Sequence, residues 1–234
     1  MKRERNRLYC FSPQVMIATF AIETSLAIYT IWRYKLTEVT RLVVAMLTFL
    51  ATFQLAEYMV CGGTLTSSLT WSRIGYVAIT ILPALGIHLV YALVRAKKRP
   101  VLMPAYAAAS GFTVFFIGTS GALSGHECLG NYVIFQVAPG MGGLFAAYYY
   151  IGLATTLYLA WRFMQQSKSE YVRRALTGLS MGYAAFIVPT ATVNALSPDT
   201  IRGIPSIMCG FAAILAILLV LAVLPGGTEK RKIA

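Results

Sequence analysis

"RLVVAMLTFLATFQLAEYMVCGG", residues 41–63, is apolar almost throughout until Gln54 and Glu57 interrupt it one helical turn apart. A helix needs about 20 consecutive apolar residues to cross a hydrocarbon core. The stretch therefore reads as a membrane-crossing helix over roughly 42–61. A carboxylate at the centre of such a helix costs ~2.5–3.5 kcal/mol, and a residue bearing that cost faces the bundle interior and marks a site. Glu57 lies about one turn, ~6 Å, from the helix end. An outer vestibule can solvate it there, and Gln54, three residues earlier, shares its face; a carboxylate hydrogen-bonded to neighbouring helices as packing glue is the equal alternative.

Six further segments have the same character, at roughly 14–32, 74–94, 101–119, 143–161, 175–196 and 204–224. The chain has 234 residues, of which 58% are hydrophobic and 12% charged, against about 25% charged in soluble domains. Connections are short, so one membrane domain over residues 1–234 is expected, an all-α bundle of seven transmembrane helices. The basic "MKRERNR" before the first segment resembles the n-region of a signal peptide. The apolar run, however, carries Glu23, continues to Trp32 and is followed by no small-x-small cleavage site, so it reads as a retained helix.

The net charge of +12 is distributed unevenly. With seven spans, one face receives Arg33, Lys35, Arg41, Arg95, Lys97, Lys98, Arg99, Arg162, Lys168, Arg173, Arg174, Lys230, Arg231 and Lys232, 14 of the 20 basic residues. The positive-inside rule makes that face cytoplasmic, with the amino end outside and the carboxyl end inside. Lys2, Arg3, Arg5 and Arg7 vote against this orientation, and a first segment that fails to span would remove the conflict. The basic loops suit anionic lipid head groups, worth ~1 kcal/mol per cation, and no nucleic-acid role is expected. Trp32, Trp71 and Trp161 fall at span ends, where indole rings favour the interface. Pro83 and Pro189 stand within spans and should kink them. The spacing Gly178-x-x-x-Gly182 permits close helix approach, although such matches arise by chance in small-residue-rich spans. Between residues 120 and 142 glycine and proline argue against a continuous helix, and "YVIFQV" suits a short extended piece capping the outer mouth.

Cys10, Cys61, Cys128 and Cys209 all fall in the extracytoplasmic half of this topology. Disulfides are allowed there. Cys61 with Cys128 is the preferred pair, and four separate buried thiols are the alternative. No C-x-x-C or H-x-x-x-H spacing occurs, so neither a metal nor a cofactor is expected. Glu23 and His88 are the other ionisable residues within spans, and a neutral His88 bonded between helices is the plain reading. The last span has no Lys for a retinal Schiff base, and the second His, His126, lies in an outer loop, which argues against bis-His haem. Two His and one Asp are too few for a seven-helix metal hydrolase, so no enzymatic activity is expected.

"CFSP" at Cys10–Pro13, "FQLAEY", "ILPALG" and "SIMCGFAA" at Ser206–Ala213 recur in the order seen in an uncharacterised group of prokaryotic multi-pass membrane proteins, which this chain resembles over most of its length. That group has Trp before the late Cys, where Met208 stands here, and Cys at position two, where this chain has nine residues before Cys10. Residues 45–95, with "WSRIGYVAITILPALGIHLVYAL", more loosely resemble the seven-helix sensor region ahead of membrane histidine kinases. That likeness implies a sensor-like module whose signal a partner carries.

The expected function is a non-enzymatic membrane protein, a small-ligand sensor or accessory subunit of a membrane complex, working with a membrane-protein partner or a second copy. Its outward-facing pocket would be lined by Gln54, Glu57, Ser12 and Ser206, with Cys10 and Cys209 close by. The alternative is a transporter or channel in which Glu23, Glu57 and His88 form a proton or cation path.

Overall fold

The computed structural model describes residues 13–62, 67–128, 133–196 and 203–225. Seven α-helices occur among them: α1 (Pro13–Arg33), α2 (Glu38–Gly62), α3 (Ser68–Leu93), α4 (Leu102–Gly118), α5 (Met141–Gln166), α6 (Glu170–Leu196) and α7 (Ile204–Leu218). A π turn, Leu219–Val223, extends α7. Several helices begin before their apolar runs because a hydroxyl residue caps the first turn. Thr37 accepts from the Thr40 amide at 3.3 Å, Ser67 from Thr70 at 3.4 Å and Ser169 from Val172 at 3.4 Å. Each cap meets one amide that the helix leaves unpaired, an effect typically worth ~1 kcal/mol.

All the helices except α4 are long and apolar enough to cross a membrane, six in number among the described residues. The fourth, α4, has 17 residues, a length of ~25 Å. The centre of the bundle is α3, which packs on α2, α4, α5 and α6. Most of its length from Gly75 to Leu93 is buried, as expected of a largely apolar helix at the centre of a bundle. Consecutive helices pair from α1 to α4 and from α5 to α7, and α7 also meets α1 and α2, so the first and last helices are neighbours.

Small residues and prolines set the closest approaches. Pro83 removes an amide from α3, and the Tyr148 hydroxyl of α5 donates to the nearby Thr80 carbonyl at 2.6 Å. Gly152 faces this proline, and a Cβ there would stand 2.5 Å from the Cβ of Pro83. The Gly178-x-x-x-Gly182 spacing is used within the chain. Side chains at those positions would stand 2.6 Å from Ala222 Cβ and 2.6 Å from Leu215 Cδ1, so the two glycines let α6 lie against α7 and its π turn.

The fold departs from all-α in one place. Between α4 and α5 the chain forms an antiparallel hairpin, β1 (Leu123–Cys128) and β2 (Val133–Val137). "VIFQV" supplies β2, from the stretch expected to be extended. The register shifts between Leu123 and Gly125, where the Ser124 hydroxyl donates to the Gln136 carbonyl at 3.3 Å. A disulfide between Cys61 at the end of α2 and Cys128 at the end of β1 ties the hairpin to the bundle, with Cα atoms 5.8 Å apart.

Candidate functional site

Two polar groupings and one cavity account for the residues singled out in the sequence. The first grouping lies where α1, α2 and α7 meet. Gln54, Glu57 and Ser206 are buried together with Glu23, which is 0% exposed. Ser206, in the first turn of α7, accepts from the Val133 amide of β2 at 3.1 Å and donates to Glu57. A chain of hydrogen bonds therefore runs from the hairpin through α7 to α2. Glu23 of α1 lies within electrostatic reach of Glu57, and Cys209 of α7 within reach of both acids. Both carboxyl oxygens of Glu23, one of Glu57 and the side-chain nitrogen of Gln54 are buried without a hydrogen-bond partner. Each such group costs about 1–3 kcal/mol if it stays unpaired.

His88 belongs to a different place. Its Nδ1 lies 3.0 Å from the Tyr106 hydroxyl of α4, and its Nε2 lies 3.0 Å from Arg99 Nη1 and 3.1 Å from Glu38 Oε1. Arg99 also grips the Glu38 carboxylate through both terminal nitrogens. This network joins the start of α2, the later part of α3, the loop after α3 and α4. Gly75 of α3 packs at the level of Phe53 and Ala56 of α2, so His88, 13 residues farther on, stands ~20 Å along the helix from the acids. His88 and Glu57 thus sit toward opposite ends of the bundle.

The cavity has a volume of about 510 Å³ and lies under the hairpin, within the range of pockets that hold small organic ligands. The strand residues Glu127, Ile134 and Phe135 roof it, Tyr76 and Ile79 of α3 form one wall, and Met208 and Cys209 of α7 form another. On α5 the wall consists of Gly142, Gly143, Phe145, Tyr149 and Tyr150. Tyr76 packs edge-on to Phe135 of the roof at 5.3 Å and against Phe145 at 5.4 Å.

Gln54, Glu57 and Ser206 do not line this cavity. They were expected to face an outer pocket; they are close together and buried, and Cys209 borders both them and the cavity. Cys10 and Ser12 lie outside the described residues. The aromatic wall and the glycine pair were not singled out from sequence. A usable signal was present: "GMGGLFAAYYY" places two adjacent glycines in the first turn of α5, where each weakens the helix by ~1 kcal/mol relative to alanine. Nothing stands within 4 Å of a Cβ built on Gly143, so that glycine serves no packing contact and leaves room in the cavity instead. Among the described residues, no group of three or more His, Cys, Asp or Glu could hold a metal ion.

No protein-family model matches the chain, no curated protein is significantly similar to it, and no solved structure resembles it at a significant level. Its function is read from its own residues.

Proposed function

We propose that this protein is a seven-helix, non-enzymatic protein of the cell membrane, with its amino end outside and its carboxyl end in the cytoplasm. It binds a small, largely apolar ligand in the cavity beneath the hairpin, as a sensor-like module or the ligand-binding subunit of a membrane complex. The supporting observation is a 510 Å³ cavity whose roof is fastened to the bundle by the Cys61–Cys128 disulfide, a linkage suited to an oxidising compartment. Its walls are aromatic and aliphatic. The first turns of α5 and α7 border it, and unpaired amides at a helix start can donate to one acceptor on the ligand.

The seven-span reading is supported by the position of the hairpin. The hairpin follows α4 and is bonded to the end of α2, which supports reading α4 as a span that returns to the end of the bundle where α2 finishes. At ~25 Å it is somewhat short for a ~30 Å core, a mismatch that local thinning accommodates. The loops and helix ends at the opposite end carry Arg33, Lys35, Arg95, Lys97, Lys98, Lys168, Arg173 and Arg174, which suit the anionic cytoplasmic leaflet.

Acetophenone, an aromatic ring with one carbonyl acceptor, is a suitable probe. With ten heavy atoms or fewer, its Kd should be about 1 mM, the value expected of an efficient fragment in a preformed pocket. The test is calorimetry on the protein in lipid nanodiscs, with empty nanodiscs as reference. Gly143→Phe should abolish the binding while leaving thermal stability unchanged or slightly raised, since the position has open space and loses a helix-weakening glycine. Equal acetophenone binding by wild type and Gly143→Phe would rule out this cavity as the site.

A further inference from the structure

The buried acids at the α1–α2–α7 junction have no part in the cavity's ligand chemistry, yet their unmet bonding is concentrated in one place. Glu23 is 0% exposed and both its carboxyl oxygens lack partners; Glu57 is 1% exposed and one of its oxygens does too. Gln54, 2% exposed and one turn before Glu57 on the same face of α2, has an unpartnered side-chain nitrogen. Its amide oxygen and nitrogen exchange places by a rotation about the last side-chain bond. The groups within electrostatic reach of the acids are Tyr76 of α3, beside Glu57, and Cys209 of α7, beside both. Among the described residues no Lys, Arg or His takes part in these interactions, so no described cation offsets the charge of two ionised carboxylates. Two buried carboxylates without a counter-charge are too costly to persist.

We propose that Glu23, Gln54, Glu57 and Ser206 form a site that exchanges one bound proton for one sodium-sized monovalent cation. In one state both carboxyls are protonated and the site is neutral. In the other, one carboxylic O–H bond breaks, its proton leaves to solvent, and a dehydrated cation takes its place among the carboxyl, amide and hydroxyl oxygens. Net charge is the same before and after. The donor set selects the ion. Its oxygens are hard ligands, which exclude the soft metals that prefer thiolate and imidazole. The set offers six oxygens, one of which keeps the remaining carboxylic proton; its single negative charge balances a monovalent cation but not calcium, and magnesium keeps several waters for which a fully buried junction has no room. Cys209 stands at the cavity wall and also beside both acids, which places the ion site next to the cavity. The Ser206 link to the Val133 amide connects the ion site to the hairpin roof.

Infrared difference spectroscopy on the protein in nanodiscs tests this, comparing sodium chloride with choline chloride at equal ionic strength. Sodium should remove intensity from the protonated-carboxyl C=O stretch and release about one proton per protein into weakly buffered solution. One-for-one exchange makes the apparent sodium affinity fall about tenfold for each unit by which pH is lowered. Glu23→Gln and Glu57→Gln, each close in shape to the native residue, should lack both signals. The proposal is overturned if wild type shows the protonated-carboxyl band but sodium changes neither the band nor the proton count. That result makes the pair a permanent structural contact. It is equally overturned if the sodium response survives in both variants. The wild-type measurement decides the matter even if a variant does not fold, and neither outcome depends on whether acetophenone binds in the cavity.

Discussion

Replacing Cys61 and Cys128 together by alanine should lower the free energy of unfolding by up to about 4 kcal/mol, the chain-entropy value for a loop of this length. The bridge joins residues separated by 67 positions, enclosing α3 and α4. Helices that persist in the bilayer after tertiary contacts are lost already restrict that loop, which makes the figure an upper value. At 2–4 °C per kcal/mol for a chain of this size, the midpoint should fall by roughly 10 °C. Removal of the tether also has a local effect. The hairpin otherwise holds to the bundle through the Val133–Ser206 hydrogen bond and the packing of Phe135 on Phe53 and Tyr76. Hydrogen exchange should therefore quicken at the Val133 amide and across β2 more than in the middle of α3. Acetophenone affinity should weaken in the double variant, because the roof samples open positions. If the double variant matches wild type in midpoint and in β2 exchange, the hairpin is held by its noncovalent contacts alone.

The helices were legible because their determinants are local. Apolar length marked each crossing segment. Thr37, Ser67 and Ser169, the residues that add polar first turns to α2, α3 and α6, are ordinary capping types standing just ahead of those runs. The extended character of "VIFQV" was likewise visible from its β-branched and aromatic content. Other features depend on packing between distant segments. Glu57 is near the end of an apolar helix in sequence, which suggested contact with an outer vestibule. In space, the first turn of α7 covers it, and the Ser206 hydroxyl donates a hydrogen bond to it. Nothing in the sequence around Glu23 signals that α1 brings it beside Glu57. His88 has the same ambiguity. It reads as an intramembrane imidazole, yet Glu38 and Arg99, from two other segments, reach it and form the network at that end. The aromatic wall of Tyr76, Phe135 and Phe145 draws one residue each from α3, β2 and α5, a grouping that no window along the chain contains.

Gly86→Ala should be among the most damaging single-methyl changes in the bundle. A Cβ on Gly86 of α3 would overlap the hydroxyl of Tyr183 on α6 and stand 3.1 Å from Thr156 Oγ1 on α5. The three helices meet there around a buried chain of hydroxyls: Tyr183 donates to Thr156, and Thr156 donates to the Gly152 carbonyl at 2.9 Å. Tyr183 is 2% exposed, and a tightly packed interior gives its hydroxyl little space into which to retreat. Overpacking of this kind costs about 1–3 kcal/mol, and displacing the hydroxyl adds the loss of a buried hydrogen bond, ~1 kcal/mol. Tyr183→Phe alone should cost about 1 kcal/mol for that same bond. The double variant Gly86→Ala/Tyr183→Phe separates steric from other causes, since removing the hydroxyl makes room for the methyl. Its ring carbon would remain 3.2 Å from the new Cβ, a separation that a shift of a few tenths of an ångström relieves. The double variant should therefore be more stable than Gly86→Ala, with a coupling of about 1–3 kcal/mol, as expected for residues in direct contact. Thermal unfolding of the four proteins in the same detergent measures that coupling. Additive losses would mean that α3 and α6 are not in contact at this point, and that the close three-helix packing around Gly86 is absent from the folded protein.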